Sequence, residues 1–161
     1  MTTNRATLTE ADFLEVVPAS LQNLVVVQAA DVKQSDESRE LVQAFGQALR
    51  LVDQSFDVRS RVVVTFSATP FEIDLSEGRL GFTTHGEAHS TRLGHLAFLH
   101  AGRMKELPYP LKVTVILEEL LRCLTSVQDE HLISTMVGVM YDDITYYHDQ
   151  YHLSQEWDDS M

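Results

Sequence analysis

Hydrophobic positions along this chain recur first at helical spacing, then in strand-like alternation, then at helical spacing again. Thr9 followed by Asp12 has the pattern of a helix N-cap with an acidic first turn. It introduces Phe13, Leu14, Val16 and Val17 before Pro18 limits the helix. Residues 21–30 mix helix-like spacing with the β-branched run Val25, Val26 and Val27, which leaves their type open between helix and strand, with helix favoured. Ser35, Asp36 and Glu37 supply a cap and an acidic first turn, after which Leu41, Val42, Phe45, Ala48, Leu49 and Val52 hold helical spacing. Residues 61–67 are β-branched and aromatic, and Pro70 ends that strand. Phe71, Ile73 and Leu75 then alternate with Glu72 and Asp74, and residues 76–78 turn the chain back into a second strand over 79–84, a hairpin.

Leu93, Leu96, Ala97, His100 and Met104 recur at three- and four-residue steps and predict a helix over 90–104. Pro108 and Pro110 stiffen the connector to the next helix, 111–125, whose broad stripe of Val113, Ile116, Leu117, Leu120, Leu121 and Leu124 suits central packing. A last long helix is expected to carry Ile133, Met136, Val137, Met140, Ile144, Tyr147 and Tyr151 on one face, with Gly138 a mild weakness. These elements describe one α+β domain over 1–161: a small antiparallel sheet with N-terminal and C-terminal helices packed on it. The tail 154–161, acidic apart from Trp157, is expected to fray unless that Trp docks.

Composition narrows the function. At 161 residues, 44% hydrophobic and 22% charged, the chain is long enough to bury roughly 70% of its unfolded surface without a disulfide or structural metal. The formal net charge of −12 repels phosphate backbones, so nucleic acid is an improbable partner. The longest apolar runs fall far short of the roughly 20 residues of a membrane span, and the first fifteen residues lack a secretory pattern. A cytoplasmic protein is expected. Cys123 stands alone, which excludes an internal disulfide, and it reads as a packing residue. The chain has neither GxSxG nor a glycine-rich phosphate loop, so no nucleophile elbow or nucleotide cradle is signalled.

The seven histidines are the most chemically suggestive feature. His85 and His89 are four apart, but Gly86 and the preceding strand make a solvated turn the stronger reading. His95 and His100 are five apart and diverge, and His100 on an apolar stripe reads as a hydrogen-bonded core residue. His148 and His152 flank Asp149 on the last expected helix, at a spacing that suits a divalent ion or simply stabilises a helix C-terminus.

The stretch Glu118, Glu119, Leu120, Leu121, Arg122 lies in an apolar helix that follows a helix, a strand, a hairpin and a stiff connector. In that order it resembles a degenerate zincin-type metallopeptidase domain, in which a helix after a small sheet carries HExxH. Glu119 matches the general base of that motif, while Glu118 and Arg122 stand where the two zinc ligands would be. The resemblance covers about residues 60–135 and implies a zincin-like fold that has lost its zinc ligands. Read from the helix alone, Glu118 and Arg122 make an i, i+4 surface ion pair worth about 0.2–0.5 kcal/mol, and Glu119 lies nearer the edge of the apolar stripe.

Two function classes follow. The first is a non-catalytic acidic domain acting through protein contacts, by self-association or with a basic partner, and with no cofactor. Tyr141, Asp142, Asp143, Tyr146, Tyr147, His148, Tyr151 and Trp157 form an acid-aromatic cluster that suits this reading, since aromatic residues are enriched in interface cores and acids steer basic partners. The second is a metal-dependent hydrolase with Glu119 as general base and zinc held by Glu118, Glu130, His131, His148 and His152, provided those side chains converge on one pocket. A nucleic-acid mimic is a third, weaker reading.

Overall fold

The computed structural model describes residues 6–68, 72–76, 79–83 and 89–154. The chain is a mixed α+β protein. Its elements in order are α1 (Glu10–Leu14), β1 (Val25–Ala30), α2 (Asp36–Ser55), β2 (Val62–Ser67), β3 (Glu72–Ser76), β4 (Arg79–Thr83), β5 (Ser90–Leu93), β6 (Leu96–His100), α3 (Ala101–Met104), α4 (Tyr109–Leu124), α5 (Glu130–Met140), β7 (Ile144–Tyr147) and β8 (Gln150–Leu153). The main sheet has strand order β1-β2-β6-β5.

That sheet corrects the antiparallel expectation. β1 pairs with β2 in parallel, Val25 opposite Val62, and β2 pairs with β6 in parallel, Val63 opposite Leu96; only β5 runs antiparallel, at the edge. A strand pair joined through the 20-residue helix α2 cannot be a hairpin, and its crossover returns the chain in the same direction. The hairpin expected over 71–84 is present as β3–β4, with Ile73 opposite Phe82, and Phe71 and the turn at 77–78 lie outside the described residues.

Both predicted caps form. The Asp12 carboxylate accepts from the Thr9 amide at 2.7 Å, and the Ser35 hydroxyl accepts from the Ser38 amide at 3.1 Å. Three stretches depart from expectation. Residues 25–30 are a strand, because three consecutive valines fit an extended pleat better than a helix. Residues 90–100 are a hairpin: Ala97 and Leu99 are buried while Leu96 is exposed, a period of two, and Gly94 at φ +58° supplies the left-handed turn. The last helix ends at Met140, and the chain returns as the β7–β8 hairpin through His148 and Asp149, at φ 50° and 59°. The tail 155–161, with Trp157, lies outside the described residues.

The core forms where α2 and α4 pack on each other and on the sheet. Phe66 of β2 stacks on Phe13 at 4.1 Å between ring centroids and meets Phe45 of α2 edge-on at 5.1 Å. All three rings are fully buried. Lys112 of α4, also buried, donates to Glu40 Oε1 of α2 at 2.8 Å, so its charge is paired inside the helix–helix contact. This packing fixes the rotation of α4 and leaves Glu118, Glu119 and Arg122 to meet β5 and α5.

Candidate functional site

On that flank, three carboxylates gather on one guanidinium. Val113, Ile116, Leu117, Leu120 and Leu121 take up the buried stripe of α4, which leaves Glu118 and Glu119 at its margin with Arg122 one turn further on. Glu119 is 5% exposed, and its Oε1 accepts from Arg122 Nη1 and from Ser90 Oγ of β5, each at 2.9 Å. Its Oε2 is buried with no hydrogen-bond partner. Arg122 also lies 3.9 Å from Glu118 Oε2 and donates to Glu130 Oε2 of α5. Burial alone would lower the Arg122 pKa, but Glu119, then Glu118 and Glu130, outweigh it and hold the guanidinium above its ordinary value. Glu118 and Arg122 are therefore not the solvated pair that the helix alone implies: Arg122 is only 15% exposed, with Glu118, Glu119 and Glu130 around it.

Glu118 has a second set of partners. Its Oε1 accepts from Tyr151 Oη of β8 at 2.5 Å and from Ser134 Oγ of α5 at 3.3 Å. Burial, followed by the bond to Glu118, pushes the Tyr151 phenol well above its ordinary pKa. Glu118 thus ties α4 to both α5 and the hairpin.

His131 belongs to a different neighbourhood. Its Nδ1 lies 3.3 Å from Asp149 Oδ1 and 3.3 Å from Tyr146 Oη, and Tyr146 Oη donates to Asp149 Oδ1 at 3.2 Å. His148 sits in the hairpin turn with its ring 3.9 Å from that of Tyr147, and His152 is on β8 opposite Thr145. The expectation that His148 and His152 share a helix face is corrected, because their segment is a turn and a strand. Glu118, Glu119 and Glu130 meet on Arg122, while His131 meets Asp149 and Tyr146 at the hairpin and His148 packs on Tyr147. Among the described residues, no group of three or more His, Cys, Asp or Glu side chains is placed to hold a metal ion.

Between α5 and the hairpin runs an open groove of about 480 Å³, lined by His131, Thr135, Gly138, Val139 and the 145–149 stretch of β7 and its turn. Gly138 lets the two elements approach: a Cβ there would lie 3.1 Å from Tyr146 Cβ. Val139 is 78% exposed, Tyr147 52% and Leu132 47%, so this side of α5 and the hairpin presents apolar and aromatic surface to solvent. From residue 123 to residue 154 the sequence holds Asp129, Glu130, Asp142, Asp143 and Asp149 and no Lys or Arg. All five are exposed: Asp142 and Asp143 lie in the link from α5 to β7, Asp129 and Glu130 at the start of α5, and Asp149, in the turn after β7, is the one of the five that lines the groove.

A larger cavity of about 610 Å³ lies at the carboxyl ends of β1, β2 and β6, a common ligand position in parallel sheets. Lys33 and Lys105 line it together with Asp31, Glu37 and Glu106, so charges of both signs are mixed around it. None of the candidate catalytic or metal-ligating residues lines it.

His95 and His100 separate as expected. His95 Nδ1 lies 2.8 Å from the Cys123 carbonyl oxygen, and His100 is buried. Cys123 is buried too, and burial, with Glu119 adding to it, pushes its thiol up to about 11. Folding favours the protonated thiol, so this contribution is complete below the ordinary thiol range and is lost as pH climbs toward 11. The urea midpoint of the wild type is therefore expected to fall between pH 8 and 11 by more than that of Cys123→Ala. In native protein at pH 8 a thiol-disulfide reagent should react with Cys123 only after denaturant is added; a stoichiometric reaction within minutes would contradict the burial argument.

Searches against family models, curated proteins and solved structures return no match for this chain. No helix among the described residues is long and apolar enough to cross a membrane.

Proposed function

We propose that this chain is a non-catalytic acidic domain that acts through protein contacts in the cytoplasm. The observation that carries this reading is the exposed apolar and aromatic surface of α5 and the β7–β8 hairpin, on a stretch of chain with five exposed carboxylates and no Lys or Arg. The Arg122 cluster supports the non-catalytic half of the proposal. Three carboxylates are gathered on one guanidinium, a side chain that cannot ligate a cation or relay a proton at neutral pH. In a zincin-like reading of the same helix, Arg122 stands at the position of the second zinc ligand and bonds the residue at the general-base position.

Photo-crosslinking in the native cell tests the proposal. A photoreactive residue at position 139 or 147 is expected to give a discrete protein adduct, whereas the same group at exposed position 57 gives none. Absence of an adduct at 139 and 147, or one zinc per chain in protein purified without a tag, would overturn it.

A further inference from the structure

The groove between α5 and β7 has a chemistry that selects among protein partners. Val139 and Tyr147 line it beside Gly138, with Asp149 in the turn after β7 and Asp142 and Asp143 in the link from α5. α5 has eleven residues and so spans about 16 Å at about 1.5 Å per residue. That length matches about five residues of extended chain. A second copy of the same face would bring like-charged ends together, which costs binding rather than adding to it.

Resting on the proposed interaction role, we infer that the groove takes a short Lys- or Arg-rich segment of another protein with an apolar centre. The apolar centre covers Val139 and Leu132. A cation on one side of it meets Asp142 and Asp143, and a cation on the other meets Asp149. Charge at the ends sets the encounter rate, while the apolar centre sets specificity.

The test uses a fluorescent seven-residue peptide with two lysines on each side of a leucine-phenylalanine-leucine centre, titrated with the full chain and followed by anisotropy. Binding is expected to weaken as salt is raised and to fall at least tenfold in Val139→Asp. Asp142→Asn combined with Asp143→Asn should also weaken it, and so should Asp149→Asn, which suits the positive φ at that turn. Val139 is too exposed for the substitution to unfold the protein, and circular dichroism checks this.

A peptide with three serines at the centre should bind at least tenfold more weakly than the apolar one. Equal binding of the two, no effect of Val139→Asp, or no binding at all would overturn the inference. So would a concentration-dependent dimer lost in Val139→Asp, because the groove would then seat a second copy. Discrete adducts at position 139 together with any of these results would leave the interaction role standing and refute only the basic segment.

Discussion

Replacing Phe66 by alanine is expected to destabilise the domain by about 3–5 kcal/mol, the largest loss of any single core truncation here. Phe66 is fully buried in a central strand, stacked on Phe13 and edge-on to Phe45. Those partners come from α1 and α2, so the void would open where two helices and the sheet meet and no one element could move in to fill it. For a chain of this size each kcal/mol lowers Tm by about 2–4 °C, giving a fall of roughly 6–20 °C. Chemical denaturation of the wild type and Phe66→Ala measures the free-energy difference, and a loss under about 1 kcal/mol would mean that the three rings do not form the centre of the core.

The second large effect is expected at Arg122. Arg122→Met leaves Glu119 buried beside a single hydroxyl donor, Ser90, and removing one partner of a buried pair typically costs about 3–5 kcal/mol. Glu118 and Glu130 suffer less, because Glu118 keeps Tyr151 and Ser134 and Glu130 is largely in water. Adding Glu119→Leu to Arg122→Met should recover most of the loss, since a buried pair replaced by apolar groups of similar size is close to neutral. Arg122→Lys should fall in between, because one ammonium cannot reproduce the fork that spans Glu119 and Glu130. If the double variant proves no more stable than Arg122→Met alone, the buried carboxylate is not the source of the cost.

The parts of this fold legible in the sequence are those in which a single local rule acts. Ser35 with its acidic first turn, the proline-led start of α4 and the alternation in β3 each announce their element. Elements were misread where two periods coincided. In residues 90–104 the steps between Leu93, Leu96, Ala97 and His100 fit a helix, yet they arise from a hairpin whose turn, at Gly94, is hidden among apolar neighbours. In the last segment Ile144, Tyr147 and Tyr151 continue the spacing of α5, although the aromatic and β-branched run 144–147 favours a strand. The turn there lacks the usual asparagine and glycine, so it gave little warning.

The candidate site divides in the same way. Helical spacing marks out Glu118, Glu119 and Arg122, with Glu130 downstream of them. Their convergence on Arg122, with Ser90 beneath Glu119, depends on tertiary packing that no spacing encodes. The groove did have a signal in the sequence: after Arg122 no basic residue occurs, while Asp142, Asp143 and Asp149 recur among tyrosines.

The placement of β6 between β2 and β5 has a consequence for how the chain assembles. β1, α2 and β2 are contiguous and can pair as soon as they are made, but β2 meets β6 only after a loop of about thirty residues has closed. Until then the inner edge of β2, three valines long and strongly apolar, is an open template for any strand that reaches it first. The acidity of the chain acts at that moment as well, because two partly folded copies carrying the same excess of negative charge repel each other before their open edges can join.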